Sequence, residues 1–151
     1  LLELKEEQKP EVEAKILADF SAQCKSLYLT AKLSPGFIAL IESLPGKKYV
    51  ASGSEQSELR AVFNSRGLDK YFVDVFGSPT AKKDLLAKIL ARHPDGKALM
   101  IGDAVSDFEA SQSNTIDFIC YIPFSNVAQR MRALADTHQF EVLDRWPQQV
   151  L

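Results

Sequence analysis

Apolar positions along this chain follow two periods, and the change from one to the other lays out its elements. Val12, Ile16, Leu17, Phe20, Cys24 and Leu27 recur at helical spacing, which predicts a long amphipathic helix over residues 10–29, with Pro10 in its first turn. The charged Lys5, Glu6, Glu7 and Lys9 precede it as a solvated face. A second helix is expected after Ser34-Pro35-Gly36, with Ser34 as cap and Pro35 at the first position. Phe37, Ile38, Ile41 and Leu44 form its buried side, and Pro45-Gly46 ends it.

From there short apolar runs alternate with helical patterns. Strands are predicted over residues 48–51, 71–76, 98–101 and 118–121, with a short edge strand at Glu141–Leu143. Between them lie helices through Leu59, Val62 and Phe63 (closed by Gly67), from about residue 81 through Leu85, Leu86, Ile89 and Leu90, over 106–113, and over 126–134 with Ser125 as cap. Strands alternating with helices, several of them continuous apolar runs, predict an α/β fold: a mostly parallel, doubly wound sheet in a three-layer sandwich, with helices on both faces. Residues 1–33 contain no strand in this reading. They are assigned to part of a helical cap, and 34–151 to the sheet-bearing core.

Composition narrows the function classes. The 151 residues are 46% hydrophobic and 25% charged, as in a soluble globular protein of one domain. A net charge of -2 and the lack of a basic stripe with aromatics argue against a nucleic-acid partner. No apolar run reaches membrane-spanning length and no signal peptide is visible, so no membrane partner is expected. Cys24 and Cys120 are far apart and lack metal-ligand spacing. They read as core thiols in a reducing, cytoplasmic setting. The chain opens on Leu1 rather than methionine, which suggests a segment of a longer polypeptide.

Polar groups gather where the predicted strands end, and ligands of open parallel sheets bind at those carboxyl ends. Ser52, Gly53 and Ser54 follow Val50-Ala51: a hydroxyl, a glycine open to close approach and backbone N–H groups at a helix start make a seat for phosphate. Ser52 or Ser54 as a plain helix cap is the equal alternative. Lys82 precedes Leu85, Leu86, Ile89 and Leu90 at helical spacing, so it points to the buried side of a helix start. Its charge is out of place beside the positive helix end unless an anion sits opposite. Lys83 is turned away and reads as a surface residue. Asp103 and Asp107 follow the strand over 98–101 and offer the hard oxygens that Mg²⁺ prefers. Locally they are equally a turn residue and a helix-start residue.

Ser52 after an apolar strand, Lys82 within Gly77-Ser78-Pro79-Thr80-Ala81-Lys82, and Gly102-Asp103-x-x-x-Asp107 resemble the second, third and fourth motifs of the haloacid dehalogenase-like superfamily, in its order. The N-terminal helices resemble the end of the cap in phosphoglycolate phosphatase-like members. The C-terminal stretch from Ala135-Asp136 to Trp146-Pro147 resembles their last strand and closing helix. The resemblance implies a Mg²⁺-dependent hydrolase of a small phosphate ester, working through an aspartyl-phosphate. Ser52 would bind the phosphoryl group, Lys82 would neutralise its charge, Asp103 would ligate the metal, and Asp107 would ligate it or hold its waters.

The family's first motif, a central apolar strand ending Asp-x-Asp that carries the nucleophile and the general acid, has no match. Asp19 falls inside a helical pattern with Ser21 two residues on, and Asp74 lies in a later strand with Phe76 two residues on. Without that strand, unpaired edges would face each other inside the sheet. Three readings follow: a missing upstream segment, direct pairing of the strands ending at Ala51 and Ile101, or a strand given by another chain. A catalytically inactive binding or regulatory module that keeps the anion or metal site is the competing function. A phosphoacceptor receiver domain is disfavoured, because the acidic pair comes last here. His93 and His138 are assigned to the surface, and Trp146 to packing that tethers the C-terminal segment.

Overall fold

The computed structural model describes the backbone of residues 15–18 and residues 33–147. It contains one parallel sheet of six strands in the order β3-β2-β1-β4-β5-β6. In chain order the elements are β1 Lys15–Ala18, α1 Phe37–Ser43, β2 Lys48–Glu55, α2 Gln56–Ser65, a 3₁₀ turn at Asp69–Tyr71, β3 Asp74–Ser78, α3 Lys82–Ala91, β4 Ala98–Gly102, α4 Val105–Ser113, β5 Asp117–Tyr121, α5 Ala128–His138 and β6 Glu141–Leu143. The expected doubly wound α/β sandwich is what forms.

The centre of the sheet differs from expectation. Residues 15–18, read as one turn of a long helix, are β1, and β1 fills the gap left by the apparently missing strand. Ile16 lies opposite Lys48 and Leu99, and Ala18 opposite Val50 and Ile101. So β2 and β4 do not pair with each other, and the strand comes from the chain itself. The physical reason is twofold. A run as short as Ile16-Leu17-Ala18 fits either period. As a strand it also satisfies the backbone groups of two buried neighbours at once, a gain a helix does not offer. The rest of the predicted cap helix, Cys24 included, lies outside the described residues.

The sheet is buried on both faces, as apolar strands require. On one face Leu85, Leu86 and Ile89 of α3, Phe108 and Ala110 of α4 and Met131 of α5 pack on Tyr49, Ala51, Phe76, Met100, Phe118 and Cys120. On the other, Phe37, Leu40 and Ile41 of α1 with Leu44 cover Ile101, Ile119, Tyr121 and Leu143, while Leu59 and Phe63 of α2 cover Val50 and Val75. Among the described residues no helix is long and apolar enough to cross a membrane.

Three local expectations are corrected. Ser34 does not cap α1: Gly36, at φ 82°, holds that position, and Phe37 N donates to the Ser34 carbonyl at 3.1 Å. The Ser34 hydroxyl instead accepts from Trp146 Nε1 at 2.6 Å. Trp146 also stacks on Tyr121 with centroids 3.8 Å apart, so it does tether the C-terminal segment. Second, His93 is buried rather than on the surface, with Nε2 2.7 Å from the hydroxyl of buried Tyr49. A buried phenol needs a polar partner, and the turn after α3 supplies this one. Third, Ser125 stands before Val127, the residue that caps α5, and serves the site described next. His138 is exposed as expected. Cys120 is a buried free thiol whose pKa is pushed up to about 12, first by burial and then by the charges of Asp103 and Asp107.

Candidate functional site

Because every strand pair is parallel, the ends of β2, β3 and β4 share one rim of the sheet. At that rim Lys82 is the first residue of α3 and Asp107 the third of α4. Lys82 Nζ donates to Asp107 Oδ1 at 2.6 Å, with side chains 11% and 0% exposed, and reaches Ser106 Oγ at 3.4 Å. The anion expected opposite Lys82 is therefore the Asp107 carboxylate. Asp107 is favoured at its own helix start by the dipole, and it offsets the lysine charge that the start of α3 disfavours.

The second oxygen of Asp107 is equally committed. Oδ2 accepts from Asp103 N at 3.0 Å and Ala104 N at 2.9 Å, so one carboxylate fixes the turn between β4 and α4. Gly102 is what allows this approach. A Cβ at position 102 would lie 2.5 Å from both Cβ and Oδ2 of Asp107. Alanine at Gly102 should therefore cost about 1–3 kcal/mol by overpacking, and a lower urea midpoint is the measure. An unchanged midpoint would mean that the turn yields freely.

Asp103 is held from two sides. Its N–H goes to Asp107, and its carbonyl accepts from Ser125 Oγ at 2.6 Å. Ser125 was read only as a helix cap; a hydroxyl at the end of the strand neighbouring Asp103 was the signal for this second role. Ser52 lies within β2, just past Ala51 where the β2–β3 register shifts, and beyond β1 from Asp103. It is buried, and its Oγ accepts from Ser54 N at 3.2 Å. Gly53 has open space where a Cβ would stand, whereas at Gly77 a Cβ would come within 2.2 Å of the Ser54 carbonyl, so close approach here is the task of Gly77. The structure thus brings Lys82, Asp103 and Asp107 into one hydrogen-bonded group, with Ser52, Gly53 and Ser54 in β2 on the far side of β1.

As a metal site, the acidic pair divides its labour. Asp107 Oδ1 and Oδ2 already accept from Lys82 and from two backbone amides, so of the pair Asp103 would be the direct ligand. Among the described residues no three His, Cys, Asp or Glu side chains are grouped to hold an ion. Mg²⁺ is often held by one or two carboxylates with waters and substrate phosphate, so Asp103 fits as one ligand of such a shell. β1 ends between these groups: Ala18 is level with Val50 and Ile101, two residues short of Ser52 and Asp103 respectively. The next residue in sequence is Asp19, which lies outside the described residues. Sequence reasoning set it aside for its helical surroundings. The signal in its favour was an apolar run followed at once by aspartate, much as Met100-Ile101-Gly102 is followed by Asp103.

No protein-family model matches the chain, and no curated protein matches it. Solved structures do. A haloacid dehalogenase-like family protein from Streptococcus pneumoniae aligns over 88% of this chain and 93% of its own, at 14% identity and a TM-score of 0.66. A predicted phosphatase from Clostridium acetobutylicum aligns over 74% of this chain and 55% of its own, at 22% identity and a TM-score of 0.61. A HAD-superfamily hydrolase of subfamily IA from Geobacter sulfurreducens aligns over 75% and 66%, at 20% identity and a TM-score of 0.57. The chain spans just over half of the Clostridium protein and slightly under two thirds of the Geobacter one. These likenesses show the haloacid dehalogenase-like fold.

Proposed function

We propose that this chain hydrolyses a small phosphate ester, with Asp19 as its nucleophile. The observation that carries the reading is β1: it runs between β2 and β4 and ends beside the Lys82–Asp103–Asp107 group, and the residue that follows it is a carboxylate. A carboxylate oxygen of Asp19 attacks phosphorus, the bond from phosphorus to the ester oxygen breaks, and the leaving oxygen takes a proton. Water then hydrolyses the aspartyl-phosphate, releasing phosphate and restoring Asp19. Lys82 sets positive charge beside the phosphoryl group while Asp107 keeps it in place, and the Ser52 hydroxyl with the Gly53 N–H binds phosphoryl oxygens. Asp103 would hold Mg²⁺, which when bound supplies charge stabilisation at a phosphoryl oxygen.

Residues 19–32 stand in sequence where phosphoglycolate phosphatase-like proteins insert their cap. The reading places the chain in a reducing, cytoplasmic setting, with Cys120 a buried free thiol.

The test is phosphate release from a panel of small phosphate esters by the whole chain with Mg²⁺. Turnover that chelation abolishes is expected. Binding of inorganic phosphate or Mg²⁺ without turnover would favour the inactive binding module, and neither binding nor turnover would overturn both readings.

A further inference from the structure

Asp107 is fixed through its carboxylate and Lys82 through its ammonium, whereas Asp103 is gripped along its main chain. The direction of the Asp103 side chain follows from the two peptide planes that meet at its Cα. Asp103 N and Ala104 N both donate to Asp107 Oδ2, at 3.0 and 2.9 Å. The second plane is set at its other end, where Ser125 Oγ donates to the Asp103 carbonyl at 2.6 Å. That bond is short for a hydroxyl donor, and a peptide bonded at both ends strengthens each of its bonds. Ser125 is itself a firm post. Its N–H donates to the Ile122 carbonyl at 2.9 Å, and Ile122 N donates to the Leu143 carbonyl at 2.9 Å, which ties the loop to β6. Ser125 Oγ also accepts from Val127 N at 3.2 Å, the local bond by which a serine forms a turn anywhere. That bond takes a lone pair and leaves the proton. The proton goes instead to a residue 22 positions back in the chain, in the turn after β4.

We propose that Ser125 is a positioning residue for Mg²⁺: by gripping the Asp103 carbonyl it aims the Asp103 carboxylate and so sets the affinity of the metal site. The inference rests on the reading of Asp103 as the direct ligand, and adds to it a residue that touches neither metal nor substrate. Residues that orient a ligand from behind change metal affinity by about 10–100-fold when they are lost. Ser125 acts on the main chain of the ligand rather than on its carboxylate, which puts it at the lower end of that range. The same peptide carries the Ala104 N–H that Asp107 accepts, so the grip also steadies the carboxylate that holds Lys82. One hydroxyl in the loop after β5 thus reaches both the metal ligand and the cation of the site.

The experiment is calorimetric titration of the whole chain with Mg²⁺, with a urea midpoint taken for each variant. Ser125→Ala should bind Mg²⁺ about tenfold more weakly than the native chain, and Asp103→Ala should not bind it. Ser125→Thr keeps the donor and should restore the native affinity. Ser125→Cys, whose thiol is a weak donor, should fall between them, and it carries the comparison if alanine fails to fold. Phe124→Ala, one residue away in the same loop and 63% exposed in the native chain, should bind as the native chain does. A lower urea midpoint in Ser125→Ala with native Mg²⁺ affinity would make Ser125 a turn former only and overturn the proposal. Equal weakening by Phe124→Ala would overturn it too, by assigning the effect to the loop as a whole. In both cases the loss of binding in Asp103→Ala keeps the metal reading. Native affinity in Asp103→Ala, or no binding by the native chain, overturns the metal reading and the proposal with it.

Discussion

Alanine at Asp107 should lose about 3–5 kcal/mol of stability, because it strands a lysine and two N–H groups that one carboxylate now satisfies. Lys82 is only 11% exposed, so without Asp107 it keeps a poorly solvated charge at a helix start that already repels it. Asp103 N and Ala104 N lose their acceptor in the same step. Against the 5–15 kcal/mol typical of a whole domain, at about 25 °C, this is a large fraction. Asparagine should cost less, since its one carbonyl oxygen serves either Lys82 or the amides but not both. Lys82→Met should destabilise as well, by leaving the carboxylate buried without its cation. A double-mutant cycle between positions 82 and 107, read by urea unfolding, should show strong coupling. Independent, additive losses at the two positions would mean that the contact is incidental.

The second large effect is chemical. Asp19→Asn should lower turnover of the best ester by about 10⁴-fold or more, the scale on which removal of a nucleophile is felt in other covalent enzymes. The urea midpoint should stay where it is, because the exchange leaves β1 and its two ladders as they are. Mass analysis of acid-quenched native protein should find the phosphoryl group on the peptide containing Asp19. Undiminished turnover in Asp19→Asn would remove Asp19 from the chemistry and leave β1 as sheet structure alone.

Much of this site was legible before any coordinates, since strand ends are marked by a change from apolar to polar residues. Lys82 shows how far that goes: its position before Leu85, Leu86 and Ile89 pointed it inward and required an anion. The identity of that anion was not legible. Asp107 belongs to a different helix, and only the packing of α3 beside α4 brings the two within 2.6 Å. The same applies to Tyr49 and His93, which join β2 to the turn after α3. Ser125 was misjudged because a cap and a tether use the same hydroxyl. β1 was misread because Ile16 and Leu17 match helical spacing with Val12 and Phe20, while its strand character comes from partners at Lys48–Val50 and Ala98–Ile101. Local period cannot register a neighbour so far along the chain.

The position of β1 also sets the order in which the protein can be made. β2 and β3 are close in sequence and can pair early, and β4, β5 and β6 form a second local set. Neither set touches the other along the sheet except through the four residues of β1. On a ribosome those residues emerge before the other five strands and then wait, unpaired on one side, until β4 has left the tunnel. Pairing at such sequence separation carries a high entropic cost and slows folding. The final step should therefore be the docking of β4, with β5 and β6, onto the free edge of β1. A chain stalled before that step would expose two buried strand edges, which makes the half-assembled sheet the species most exposed to aggregation.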